Sequence, residues 1–290
     1  MTIDLHTHSS VSDGTASPAD LVRAAAVAGL DVVALTDHDT TAGWGEAAAA
    51  AEEAGIGLVR GIEISTRYRD AGVHLLAYLP DPDDPSLRAE LDRIVVGRED
   101  RVPGMLARLR ELGIPVTEEA LAEVSPDNRV TGRPHVADLL VRLGAVRDRD
   151  EAFARYLYDG GPAFVDRYAA DLVTMLGLVT GAGGVAVVAH PWGRGSAAVL
   201  DEAAFADLAG AGLSGIEVDH LDHDRMARSG LRGIAARLGL VVTGASDHHG
   251  TGKTGHDLGS ETTAPGQLDR ILERAAALGS PTGLVGRERR

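Results

Sequence analysis

The chain has 290 residues, a formal net charge of −15, 44% hydrophobic and 24% charged residues, which is the balance of a soluble globular protein built as one large α/β domain or one domain with an insertion. The acidic surplus argues against a basic coat for long nucleic acid, and 3% aromatic residues argue against a wide base-stacking platform, while a small anionic substrate stays open because bound divalent cations reverse a local field. There is no cysteine, so disulfides and thiolate metal sites are excluded and any metal must rest on nitrogen and oxygen.

The first predicted strand covers residues 3–8 and carries His6 and His8. Side chains two apart on a strand share a face, so two imidazoles converge there, as a pair of metal ligands does. A helix follows over residues 21–28, with Ser17 as N-cap, Pro18 and Asp20 in the first turn and Gly29 as the stop. Strands over 32–36, 56–65 and 73–79, with a helix over 41–54, continue an alternation typical of parallel α/β folds. Residues 82–162 break it: helix-period segments at 87–112, 118–124, 134–143 and 150–157 read as a helical insertion between barrel parts at 1–81 and 163–290. The alternation resumes with strands at 185–189, 215–218 and 240–243, helices at 172–180, 202–209 and 224–238, and a last helix near 265–277. No apolar stretch approaches the ~20 residues that span a bilayer. No basic segment followed by an apolar one opens the chain, so a cytoplasmic protein without a membrane partner is expected.

His8, Asp37, His38, His190 and Asp247 fall at or just after strand C-terminal ends, and Glu63 and His74 lie within strand-like runs. In α/β barrels that end forms the active site. The scattered positions would meet at one mouth, where their imidazoles and carboxylates need cations to offset like charge and burial. Glu217 reads as a residue behind this set, and His220 and His223 as exposed loop residues. Gly252-Lys253-Thr254 looks like the end of a phosphate-binding P-loop, but the glycine required five residues earlier is Asp247, which leaves Lys253 as an exposed loop lysine.

His6-x-His8, Asp13-Gly14, Thr36-Asp37-His38-Asp39, Gly61-Ile62-Glu63, His190-Pro191 and Ser246-Asp247-His248-His249 together resemble the motifs of the PHP (polymerase and histidinol phosphatase) superfamily. Gly-Arg-Pro-His at 132–135 further resembles its stand-alone nucleotide phosphatase and exoribonuclease branch. The resemblance implies a distorted (β/α)7 barrel with three divalent metals. The first would sit on His6, His8, Glu63 and Asp247, the second on Glu63, His74 and His190, and the third on Asp13, His38 and His249. The mixed imidazole and carboxylate set suits Mn, Fe or Zn and suits Mg poorly. Asp37, His38 and Asp247 are the expected catalytic residues, with Asp37 orienting His38 or another ligand. The expected reaction is in-line attack of metal-activated water on a phosphomonoester of a small nucleotide, taking a nucleoside 3′,5′-bisphosphate to the 5′-monophosphate, with 5′→3′ trimming of short RNA as a further expected activity. Arg133, His135 and Arg194 are the expected contacts to a second phosphate. A histidinol-phosphate phosphatase and a non-catalytic, metal-stabilised scaffold are the alternatives. A carbamate-bridged amidohydrolase is disfavoured because such a site needs a lysine among its ligands, and none of the ligand motifs contains one; Lys253 is the only lysine in the chain.

Overall fold

The computed structural model describes residues 1–124, 131–193 and 196–286, and the elements below are those of the described residues. β1 (Ile3–Asp4) is shorter than the sequence suggests, and His6 and His8 lie just beyond it. α1 (Pro18–Val27) starts as its cap predicts, with the Ser17 hydroxyl accepting from Asp20 N–H. β2 (Val32–Leu35) pairs in parallel with β1. After α2 (Trp44–Ala54), β3 (Gly57–Tyr68) pairs in parallel with β2.

β4 (Ala71–Tyr78) follows through a tight turn at Arg69 and Asp70 and runs antiparallel to β3, with Ser65 opposite His74. The turn is far shorter than the dozen or more residues a parallel crossover needs, so the parallel pattern has to reverse here.

The helical region begins with α3 (Pro85–Asp100) and α4 (Val102–Glu111), two helices where periodicity alone suggests one continuous segment. Pro103 lacks an N–H and falls in the first turn of α4, where none is needed, so the chain restarts at Arg101. α5 (Glu118–Val124), α6 (Arg133–Arg142), α7 (Arg149–Ala152) and a π-helical turn at Phe153–Leu157 complete the region. Leu87, Leu91 and Ile94 of α3 pack into the main barrel core, whereas residues from Val102 to Ala163 form a separate core of their own.

β5 (Ala170–Asp171) adds a short parallel pairing to the far end of β3 that the sequence does not announce. α8 (Leu172–Gly181) leads to β6 (Val185–Val188), which pairs antiparallel with β4. α9 (Glu202–Gly210), β7 (Gly215–Asp219), α10 (Arg225–Leu238) and β8 (Val241–Gly244) restore parallel pairing, and α11 (Pro265–Ala277) packs behind.

The sheet order is β1-β2-β3-β4-β6-β7-β8, a seven-stranded path with β5 attached to β3. A single parallel bridge, Thr7 to His248, brings its two edges together in a nearly closed barrel. Two apolar layers, one between sheet and helices and one inside the barrel, fix the strand ends in place. No helix among the described residues is long and apolar enough to cross a membrane.

Candidate metal centre

The strand ends bring all nine expected ligand residues into one buried cluster, and His74 is the most exposed of them. His6 and His8 arrive from the extended segment after β1, where Thr7 is pinned by Thr36 on one side and His8 N–H donates to His248 O at 2.8 Å. Glu63 comes from the middle of β3. His74 lies early in β4, and because β4 runs against β3 that early position is at the same mouth. His190 and Asp247 follow β6 and β8 with φ of 27° and 52°, a left-handed backbone that costs non-glycine residues on the order of 1 kcal/mol and concentrates at functional sites.

Four donor atoms form a compact group. His6 Nε2 and His8 Nε2 are 3.1 Å apart, each lies 3.2 Å from Glu63 Oε2, and each lies 3.4 Å from Asp247 Oδ1. Donors of a tetrahedral ion bound at about 2.0–2.1 Å are separated by about 3.3–3.4 Å. The other Glu63 oxygen, Oε1, is 2.7 Å from His74 Nδ1 and 3.0 Å from His190 Nε2, so one carboxylate faces two groups. In a third group, Asp13 lies 3.5 Å from His38 Nε2 and 3.3 Å from His249 Nε2, with His8 Nδ1 at 3.6 Å. His8 Nδ1 and His38 Nδ1 are buried with no hydrogen-bond partner among the described residues, a costly state for a ring nitrogen that a cation relieves. The donor chemistry and spacing therefore fit divalent transition metals.

Electrostatics point the same way. Burial alone would raise the Glu63, Asp13 and Asp247 carboxyls, yet neighbouring imidazoles, and for Asp247 first of all Lys253, hold all three well below the ordinary carboxylate range. Burial would lower His6 and His8, but the carboxylates around them win: His6 rises well above its usual value and His8 reaches about 9. Burial dominates at His38, which drops to about 4, and at His249, which is also lowered. The cluster holds its carboxylates ionised and calls for positive charge.

Residues behind the donors set their orientation. Glu217, buried on β7, accepts from His6 Nδ1 at 3.0 Å and from His190 N–H at 2.8 Å, which leaves His6 Nε2 as the donor atom facing the cluster. His249 Nδ1 donates to the Asp247 carbonyl at 2.8 Å, turning its Nε2 toward Asp13.

Asp37 does not orient His38. Its oxygens accept from Ser9 N–H, Ser9 Oγ and Ser12 Oγ, so it ties down the loop that delivers Asp13. That loop passes so close over itself that a side chain on Gly14 would collide with the His8 carbonyl.

His220 and His223 are buried, contrary to the exposed positions their sequence suggests. His223 donates to Val218 O and accepts from Trp192 N–H, a structural role. His220, Asp247 and His256 have donor atoms close enough for a fourth metal group. However, Asp222 N–H donates into His220 Nδ1, so Nε2 carries the proton and faces Asp247 Oδ2 at 3.3 Å as a hydrogen-bond donor. In that tautomer His220 steadies Asp247 and is no ligand. Lys253, too, is not an exposed loop residue: its Nζ lies 2.5 Å from the same Asp247 oxygen.

The helical region leans over the mouth. A cavity of about 510 Å³ runs from Asp13, Glu63 and His74 to Arg98, Arg101, Arg133 and Arg167. Arg98 is committed to Asp39 at 2.6 Å and to Ser65 at 2.7 Å. Arg133 bonds Leu157 O and Asp159 and sits over the Phe153 and Phe164 rings, each centroid 5.7 Å away. Arg101 is only 5% exposed and its Nε has no hydrogen-bond partner among the described residues. Burial, with Arg167, Arg133 and Arg98 close by, pulls Arg101 down to about 8, and burial beside Arg98 pulls Arg167 to about 9. Such crowding of like charge favours an incoming anion. No spacing motif marks Arg98, Arg101 and Arg167 in the sequence.

His135 does not face this cavity as a phosphate contact. Its Nδ1 accepts from Gly132 N–H and its Nε2 donates to Ser12 O, both at 2.9 Å, so both nitrogens are engaged. Arg194 lies outside the described residues.

Comparison with known proteins gives a consistent set of likenesses. The PHP domain profile matches residues 4–112. A 3′,5′-nucleoside bisphosphate phosphatase from Chromobacterium violaceum is 38% identical over 265 residues, 91% of this chain and 92% of that protein. A 5′-3′ exoribonuclease from Haemophilus influenzae is 37% identical over 85% of this chain and 89% of its own length. A crystal structure described as a metal-dependent phosphoesterase from Bifidobacterium adolescentis superposes with a TM-score of 0.89 at 36% identity, covering 94% of this chain and 96% of that one.

Proposed function

The chain belongs to the PHP domain family, and on that premise we propose that it is a metal-dependent hydrolase that removes a phosphate from nucleoside 3′,5′-bisphosphates to leave the 5′-monophosphate. One observation carries the substrate class: a single cavity joins the carboxylate–imidazole cluster to the group of arginines at its other end. A ligand filling it presents one anion to the cluster and a second to Arg101 and Arg133, with Arg167 adding charge. A histidinol ester would bring its cationic end to four arginines, which is unfavourable. Short RNA with a 5′ phosphate is a second reading, supported by the similarity to the Haemophilus exoribonuclease.

His6, His8, Glu63 and Asp247 would hold one divalent ion, Glu63, His74 and His190 a second, and Asp13, His38 and His249 a third, with Mn, Fe or Zn suited to these donors. When bound, such ions supply Lewis acidity that activates water and neutralises phosphoryl oxygens. The chain's own residues do the rest. Glu63 ties two groups together, Glu217 and His220 fix the orientation of His6 and Asp247, and the arginines hold the non-reacting phosphate so that the ester bond is presented to the cluster.

Purified protein loaded with manganese, assayed on adenosine 3′,5′-bisphosphate, adenosine monophosphates, histidinol phosphate and a 5′-phosphorylated oligoribonucleotide, tests the reading. The bisphosphate should exceed the monophosphates in kcat/KM by ~10-fold or more, the worth of one charge-assisted contact. Arg101→Ala should erase most of that margin by raising KM. Phosphate release from histidinol phosphate alone would overturn the proposal.

A further inference from the structure

Of the 28 lysine and arginine residues only one is lysine, Lys253, and it stands at the reaction site. It follows the helical turn Gly250–Gly252 after His249, and its Nζ lies 2.5 Å from Asp247 Oδ2. The two oxygens of Asp247 are thereby sorted: Oδ1 faces His6 and His8 at 3.4 Å, and Oδ2 faces His220 and Lys253. Lys253 also borders the large cavity. Its neighbour Gly252 packs so closely on Arg149 that a side chain there would collide with the guanidinium. Lys253 thus stands on the wall between the ligand cluster and the helical region.

On the phosphatase reading, a substrate with one phosphoryl group at the cluster and the remainder among the arginines would cross this wall. Resting on the phosphatase reading above, we propose that Lys253 is a catalytic residue whose ammonium donates a hydrogen bond to the ribose oxygen as it leaves phosphorus. In the hydrolysis the phosphorus–oxygen ester bond breaks and its electron pair stays on the ribose oxygen. The oxygen of one water molecule bonds to phosphorus. Of that water's two protons, one ends on the ribose oxygen and the other on the released phosphate or solvent. Lys253 is unchanged at the end.

Asp247 Oδ2 anchors the ammonium through one of its three N–H groups, which leaves two for a second acceptor. An ammonium is a compact charge with three donors on a flexible stem and serves two acceptors in different directions. A guanidinium fork would instead be drawn into a bidentate pair with the Asp247 carboxylate. This gives a reason for lysine here in a chain that otherwise uses arginine.

The test compares leaving groups. Lys253→Met and Lys253→Arg, loaded with manganese beside wild type, are assayed on adenosine 3′,5′-bisphosphate, on glycerol 2-phosphate and on p-nitrophenyl phosphate. The first two expel an alkoxide, which needs stabilisation, and the third a nitrophenolate, which needs little. Lys253→Met should lower kcat on both alkyl esters by ~10²-fold or more, the scale for removing one donor to developing negative charge. Its loss on the aryl ester should be at least ~10-fold smaller, and Lys253→Arg should fall between wild type and Lys253→Met. Metal content by elemental analysis should match wild type in both variants. Equal losses on alkyl and aryl esters, or a missing equivalent of metal, would show that Lys253 only holds Asp247 and would overturn the proposal. If wild type cleaves glycerol 2-phosphate but not the bisphosphate, the nucleotide reading fails, and the alkyl–aryl comparison still decides the role of Lys253.

Discussion

The Arg149 guanidinium, carried on α7, donates to the main-chain carbonyl of Asp13 at 3.0 Å while its other nitrogens grip Asp138 at 2.6 and 2.7 Å. His135 of α6 donates to the carbonyl of Ser12, one residue earlier. Two side chains of the helical region therefore hold the barrel loop whose Asp13 faces His38 and His249. The region that shapes the substrate end of the cavity also sets the position of a candidate ligand.

Arg149→Met should weaken metal binding at the Asp13 group by roughly 10–100-fold, the usual cost of removing a residue that supports a ligand. Titration with manganese, followed by elemental analysis of the washed protein, measures it. Unchanged affinity would show that the loop holds its shape without Arg149.

Glu217→Gln keeps an acceptor for His6 but places an amide N–H₂ against the His190 N–H, or the reverse, so one of two hydrogen bonds is lost. Activity or metal affinity should fall by roughly 10–100-fold with the fold retained. A variant that matches wild type in metal content and kcat would remove Glu217 from the site.

Gly14→Ala forces a methyl group against the His8 carbonyl. The backbone on both sides must shift, at a cost of about 1–3 kcal/mol in stability. Thermal denaturation should show a lower Tm, and the Asp13 group should lose metal, even though alanine is otherwise a conservative change.

Burial holds the His135 imidazole below its usual value of 6.5, and its Nδ1 accepts from Gly132 N–H, a bond that protonation there would break. A group lowered on folding contributes stability above its unfolded value, and that stability is lost as the pH falls from about 6.5 toward the folded value. Between about pH 7 and about pH 5 the wild type should lose more Tm than His135→Asn, which has no proton to take up. Parallel curves for the two proteins would contradict this assignment.

The sequence made part of this legible for a physical reason. Most candidate ligands end or interrupt an apolar strand, and strand period plus punctuation place such residues at a common mouth, whereas Asp13 reaches it on a loop. The β3–β4 reversal follows from the short link after Tyr68, yet the alternation of elements hides it. Adjacency in sequence pairs Asp37 with His38, whereas its acceptors serve the serines of a loop that only the fold brings near. Arg98, Arg101 and Arg167 carry no signature because the helical region and its flanks are rich in arginine, and only their place on the cavity wall distinguishes these three. The incomplete P-loop likeness assigns Lys253 to an exposed loop, whereas its singularity in composition is the signal that leads to the site.

The barrel seam has a consequence for how long the molecule stays intact. Beyond the Thr7–His248 bridge and the bond from His8 to His248, β1 and β8 are linked by Asp4, whose buried carboxylate accepts from Ser246 N–H and Gly259 N–H. The candidate ligands straddle this join, with His6 and His8 on one side and Asp247 and His249 on the other. An ion held there ties together residues from nearly opposite ends of the chain, the kind of long loop whose closure most restricts an unfolded polypeptide. Such an ion would then act as a clasp on the barrel besides any part in turnover. Metal starvation would shorten the protein's lifetime as well as slow its reaction, so that its abundance in a cell would follow the supply of metal.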